Sequence, residues 1–121
     1  MLSREDIFSY VKNEYGTEPD YTWDKFPNYA VLRHETNDKW YGLIMDVSTD
    51  KLDIKNEKEE NIDVLNVKCE KELVEGLIDH MEIIPAYHMD KENWISIVLK
   101  NASSKEKVFE KLDDSFQLTK D

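Results

Sequence analysis

Apolar positions along the chain switch between a period near 3.6 residues and a period of two, and each switch marks an element. Ile7, Phe8, Val11 and Tyr15 form one helical stripe, which predicts a first helix over residues 3–15. Ser3 is placed to cap it, Glu5 and Asp6 suit the positive end of its dipole, and Gly16 stops it. Residues 17–28 are polar, contain Pro19 and Pro27, and read as a loop carrying Tyr21, Trp23 and Phe26. Residues 29–35 and 39–47 read as two strands of a hairpin around the turn Thr36-Asn37-Asp38. From Trp40 to Met45 both faces are largely apolar, so this strand belongs inside the sheet. A charged loop over 48–61, containing Glu57-Lys58-Glu59-Glu60, leads to a third strand over 62–69. In that strand Leu65, Val67 and Cys69 share one face, while Asn66 and Lys68 share the other.

A second helix is predicted over 70–81 from the stripe Leu73, Val74, Leu77, Ile78 and Met81. Gly76 costs it about 1 kcal/mol relative to alanine. Residues 83–88 contain Pro85 and read as an edge strand. Residues 89–93 turn back into a buried strand over 94–100, with Ile95, Ile97 and Leu99 on one face and Trp94 and Val98 on the other. A last helix begins at Ser103, where Glu106 completes a capping box, and Val108, Phe109, Leu112 and Phe116 supply its stripe. The order is α-β3-α-β2-α. Short connections make neighbouring strands antiparallel, so the expectation is an α+β, two-layer fold with an antiparallel five-stranded sheet and helices packed on it. No linker or repeat interrupts the pattern, which predicts one domain over residues 1–121.

Composition narrows the chemistry. With 40% apolar residues a single core is feasible. The three glycines, Gly16, Gly42 and Gly76, are too far apart for a P-loop or a G-x-G-x-x-G turn. The single cysteine, Cys69, excludes an intrachain disulfide, a C-x-x-C pair and a thiolate zinc cluster, and its phase with Leu65 and Val67 predicts a buried, unreactive thiol. No apolar run approaches the roughly 20 residues of a membrane span, and the N-terminus turns acidic at once, so a soluble cytoplasmic protein without membrane contact is expected. There is no G-x-S-x-G elbow and no H-E-x-x-H. His88, Asp90 and Glu92 alternate and would share a strand face, yet they read better as local turn residues than as ligands. No enzyme activity, metal or cofactor is expected.

Charge bears on partners. The chain has 27 acidic against 16 basic residues, a formal −11, and its only arginines are Arg4 and Arg33. Residues 84–100 are the least acidic stretch, with Lys91 and Lys100 balancing Asp90 and Glu92. They interleave Tyr87, His88, Lys91, Asn93 and Trp94, side chains that can stack on bases or touch phosphate. With Asn66 and Lys68 placed beside them on the third strand, these seven residues form the candidate contact surface. Packing of Tyr87 and Trp94 against the sheet is the competing reading.

Two stretches carry a family resemblance. Asn66-Val67-Lys68-Cys69-Glu70-Lys71-Glu72-Leu73 resembles the N-[VL]-K-C-[DE]-P-E-L segment of the MmcQ/YjbR family. Ile84-Pro85-Ala86-Tyr87-His88-Met89-Asp90-Lys91-Glu92-Asn93-Trp94 resembles its I-P-[AG]-Y-H-M-N-K-x-[HN]-W segment. The resemblance implies a small bacterial domain of α-β3-α-β2-α order, similar to type III secretion chaperones, without enzymatic activity and labelled DNA-binding through wing-like hairpins. Lys71 and Asp90 depart from the family's proline and asparagine, and Asp90 adds a negative charge between His88 and Lys91. The expectation is therefore weak, salt-sensitive DNA binding, with an acidic protein-interaction or chaperone-like module that ignores DNA as the alternative.

Overall fold

The computed structural model describes residues 2–52, 54 and 58–121. Its elements are α1 (Arg4–Tyr15), β1 (Ala30–Arg33), β2 (Trp40–Ser48), β3 (Asn61–Lys68), α2 (Lys71–Leu77), β4 (Ile83–Pro85), β5 (Trp94–Val98) and α3 (Lys105–Thr119). The strands form one antiparallel sheet in the order β1-β2-β3-β5-β4. This is the expected α+β fold, with β2 inside the sheet and the Pro85 strand at an edge.

Local chemistry explains most boundaries. The Ser3 hydroxyl accepts from the Asp6 amide, the Asp6 carboxylate accepts from the Ser3 amide, and α1 ends on Gly16 at φ +70°. The first hairpin turns through Asp38, also at positive φ. Pairing steps from Leu32↔Gly42 to Arg33↔Trp40, so Tyr41 is an extra residue in β2. The bulge turns its ring to the helix side, where its hydroxyl donates to Thr17 Oγ1 at 2.6 Å. Gly42 permits close packing there, since a Cβ would sit 2.8 Å from Leu32 Cδ1.

Both faces of the sheet are buried. On one, α1 and α3 pack Ile7, Val11, Val108 and Leu112 against Leu32, Ile44, Leu65, Ile95 and Ile97. The two helices are tied together by Asp113, which accepts from Tyr10 at 2.8 Å and also from Tyr15, while Tyr10 stacks on Phe109 and Tyr15 on Phe116. Burial, reinforced by the Asp113 carboxylate, raises the Tyr10 hydroxyl to about 12. The opposite face carries Val31, Leu43, Met45, Val64, Ile84 and Val98, and loops cover it with Trp23, Tyr29, Leu52, Ile54, Tyr87 and Met89.

Several expectations are corrected. The second helix stops at Leu77 rather than 81, and of its stripe only Val74 is buried; Leu73 and Met81 are each 54% exposed. Asp79 ends it: one carboxylate oxygen accepts the Met81, Glu82 and Ile83 amides at 2.9 Å each. The cap of α3 is Ser104, accepting from Lys107, whereas the Ser103 amide donates to Glu82. Cys69 lies just past the end of β3 and is half-buried, not enclosed. Glu57 of the charged run lies outside the described residues, and Lys58 to Glu60 are exposed.

Candidate functional site

The seven nominated residues come together around the loop joining β4 to β5. Lys68 pairs with Trp94 across β3 and β5, and Asn66 pairs with Ser96. The Asn66 amide donates to the Tyr87 carbonyl at 2.8 Å, its oxygen accepts from the Ser96 hydroxyl, and Ser96 Oγ accepts the Tyr87 amide at 2.9 Å. This closed triangle ties the start of the loop to the sheet floor. Asn66 is fully buried, so it braces the surface from beneath. Asp90 holds the other end: its carboxylate accepts the Glu92 amide and the Asn93 side chain, both at 2.9 Å, and its carbonyl accepts the Trp94 amide. The Asn93 bond, then the Glu92 bond, hold the Asp90 carboxyl below its ordinary range, with Lys68 and Lys71 adding to the effect. Asn93 in turn gives its carbonyl to the Cys69 amide at 2.7 Å.

His88, Lys71 and Lys91 are exposed, while Lys68 and Trp94 are half-buried. His88 is exposed at φ +63°, with its ring 3.9 Å from that of Tyr87. Lys91 is an exposed residue whose ammonium donates to the Ala86 carbonyl at 2.7 Å. Lys71 pairs with Glu92 at 3.3 Å, and Lys68 faces the field of Asp90. Each cation near this loop therefore has an internal acceptor or a carboxylate nearby. His88, Asp90 and Glu92 do not converge as ligands, because Asp90 is engaged within the turn and Glu92 reaches Lys71.

A second feature, which periodicity did not reveal, lies on the helix side. A groove of about 690 Å³ runs between α2 and α3. Val67 and Ile95 form its floor, Leu73, Gly76 and Leu77 one bank, and Leu118 the other. Leu73 is 54% and Leu118 41% exposed, so both banks present apolar surface to water. Lys68, Cys69, Glu70, Glu72, Lys111 and Asp114 supply its polar margin. Burial pushes the Cys69 thiol up from its ordinary value, opposed by Lys111, so the sulfur is a weakly reactive part of the wall. The available sequence signal was the stripe of α2, which continues past what the sheet can cover.

The YjbR family model matches residues 13–118. The Bacillus subtilis protein YyaQ is 52% identical over 120 residues, covering 99% of this chain and all of its own. A Pseudomonas syringae protein is similar in its crystal structure, at 41% identity and a TM-score of 0.91 over 98% of this chain and 99% of that one. A Deinococcus radiodurans protein at 20% identity shares the fold, with a TM-score of 0.71 over 98% of this chain and 78% of that one.

Proposed function

The chain belongs to the YjbR family, and we propose that it is a non-catalytic binding module that takes an apolar segment of a protein partner into the groove between α2 and α3. The observation that carries this reading is the pair of exposed leucines, Leu73 on α2 and Leu118 on α3, that line one groove over the apolar floor of Val67 and Ile95. A monomeric surface rarely leaves such a patch without use. Neither candidate surface offers the nucleophile and base pair that covalent catalysis needs.

Nucleic acid at the loop over residues 86–93 is the second reading. In its favour, Lys68, His88 and Trp94 are gathered beside a rigidly held turn. Against it stand the internal engagement of Lys91 and Lys71 and the net charge of −11. One experiment weighs the two. Amide shifts are followed while the 15N-labelled protein is titrated with a leucine-rich helical peptide and, separately, with duplex DNA at low salt. The groove reading expects peptide-induced shifts along α2, α3 and the floor residues Val67 and Ile95. Shifts confined to residues 86–94 and produced by DNA alone would overturn it. Should DNA bind, each phosphate contact contributes about −0.9 to the slope of log K against log salt. Lys91→Ala should leave that slope unchanged, because its ammonium braces Ala86.

A further inference from the structure

The shape and charge of the groove define its occupant more narrowly, on the premise that the groove is the binding site. We infer that the partner segment is a cationic amphipathic helix, with an apolar stripe facing Val67, Ile95 and Leu77 and with lysine or arginine flanking that stripe.

Three observations select a helix from a protein. A small ligand resting on the floor would leave Leu73 and Leu118 wet on the banks, whereas a rod lying along the groove covers both. An added strand has no place to pair, because β3 and β5, which provide the floor, are each already hydrogen-bonded on both sides, β3 to β2 and β5, and β5 to β3 and β4. Two helices with a trough between them instead offer ridges for a third to pack into. Gly76 supports close approach. It sits in the last turn of α2, where alanine would favour the helix more, yet among the described residues a Cβ there would meet nothing within 4 Å. Among the described residues no contact requires the missing side chain, and the space it opens is part of the groove.

Charge selects the sign. Glu70 and Glu72 stand on the α2 bank and Asp114 on the α3 bank. Among the described residues none of these three forms an ion pair within 4 Å. Lys68 and Lys111 share the same margin, so acids exceed lysines by three to two, inside a chain of formal charge −11. The long-range field draws a basic partner, and the three carboxylates meet its flanking cations on arrival.

The probe is a Leu/Lys amphipathic peptide of about 18 residues, about 27 Å long as a helix. Its controls are a scrambled peptide of the same composition and a version with Glu replacing every Lys. Binding is read by fluorescence anisotropy of labelled peptide on the full chain, and oligomeric state by sedimentation equilibrium. The expected result is binding of the Leu/Lys helix over both controls. Gly76→Leu, which fills the trough, should weaken it by about tenfold or more, equivalent to about 1.4 kcal/mol. Leu118→Glu, at an exposed position, should have a similar effect if Gly76→Leu disturbs folding. Preferential binding of the Glu peptide, still blocked by Gly76→Leu, would overturn the cationic partner and leave the groove reading standing. Binding indifferent to both substitutions would overturn the groove itself. Concentration-dependent dimers dissolved by Leu118→Glu would make a second copy of this chain the occupant and overturn the proposal.

Discussion

A buried carboxamide must find partners for its donors and its acceptor, and Asn66 does so through Tyr87 and Ser96. Strand alternation placed it correctly on the face away from Leu65 and Val67, beside the loop over residues 86–93. Its complete burial was not legible, because alternation assigns a face and says nothing of what covers that face. Asn66→Leu should cost about 1–3 kcal/mol, since it strands the Tyr87 carbonyl and the Ser96 hydroxyl. Urea unfolding measures the loss, and faster exchange of the Tyr87 amide locates it. A variant as stable as the parent would show that the triangle holds nothing. His34 sets a pH limit by similar logic. It is 3% exposed, 2.7 Å from Thr119 Oγ1, with its ring against Tyr41 and Phe116. Burial lowers its pKa, Lys39 and Lys120 lower it further, and a bond to the Phe116 carbonyl opposes them. The unfolded chain therefore takes up this proton first. Stability should fall as pH drops through about 6.5 and level off once the folded form is also protonated. Carboxylates such as Asp79 and Asp90, whose hydrogen bonds lower their pKa, respond only below that window. His34→Gln should flatten the upper step in urea midpoints measured from about pH 7.5 to about 5.5, and parallel curves for the two proteins would refute the assignment.

Elements show where periodicity was sufficient and where it misled. The stripes of α1 and α3 all join one core: Ile7, Val11, Val108 and Leu112 are buried, and Phe8, Tyr15, Phe109 and Phe116 are partly buried against them, while Ser115 and Thr119 are buried outside the α3 stripe. The stripe over 73–81 is as regular, yet only Val74 is buried, and the chain leaves the helix where Asp79 gathers three amides. A side-chain turn of this kind depends on one residue and has no periodic trace. The position of the α3 cap shifted for a comparable reason: Ser103 and Ser104 are adjacent, and a bond from the Ser103 amide to Glu82 decides between them. Two substitutions test what α2 is built for. Gly76→Ala should stabilise the free protein by up to about 1 kcal/mol, because the helix gains propensity and the added methyl meets open space. Asp79→Ala should destabilise it by about 0.5–2 kcal/mol, as for loss of a capping side chain, since three amides lose their acceptor and water can replace it at the exposed ones. Thermal or urea melts measure both. A Gly76→Ala variant less stable than the parent would mean that the glycine serves the fold and not the groove.

At the scale of the molecule, the sheet has two unlike coverings. Helices α1 and α3 cover one face and are pinned to each other through Asp113. Three loops cover the other, and hydrogen bonds fasten them in place of a helical ladder: Asp20 pairs with Val31 and accepts from Arg33, Arg4 donates to the Asn28 carbonyl, Thr49 and Glu60 bond to each other, and Asn66 and Asp90 hold the third loop. The apolar character of both faces of β2 was visible in the run from Trp40 to Met45, and it placed that strand inside the sheet. What covers the second face was not visible, because Tyr21, Trp23 and Phe26 occupy a loop with no period to give them a direction. Trp23 meets Tyr29 and Trp40 edge-on, and Phe26 stacks on Tyr29, so aromatic contacts do for this face what helical stripes do for the other. Loops of this kind open at lower free energy than packed helices. All three tryptophans belong to this side: Trp23 and Trp40 pack in its cluster, and Trp94 alternates onto it with Ser96 and Val98. Tryptophan emission is therefore a selective reporter of the loop-covered face, while far-UV circular dichroism follows helices and sheet together. In urea concentrations below the main transition, acrylamide quenching of tryptophan should rise before the dichroism changes. Val31→Ala, which thins the contact beneath the loop over residues 17–28, should widen that interval. Coincidence of the two probes at every urea concentration, in both proteins, would mean that the loops and helices release the sheet together as one cooperative unit.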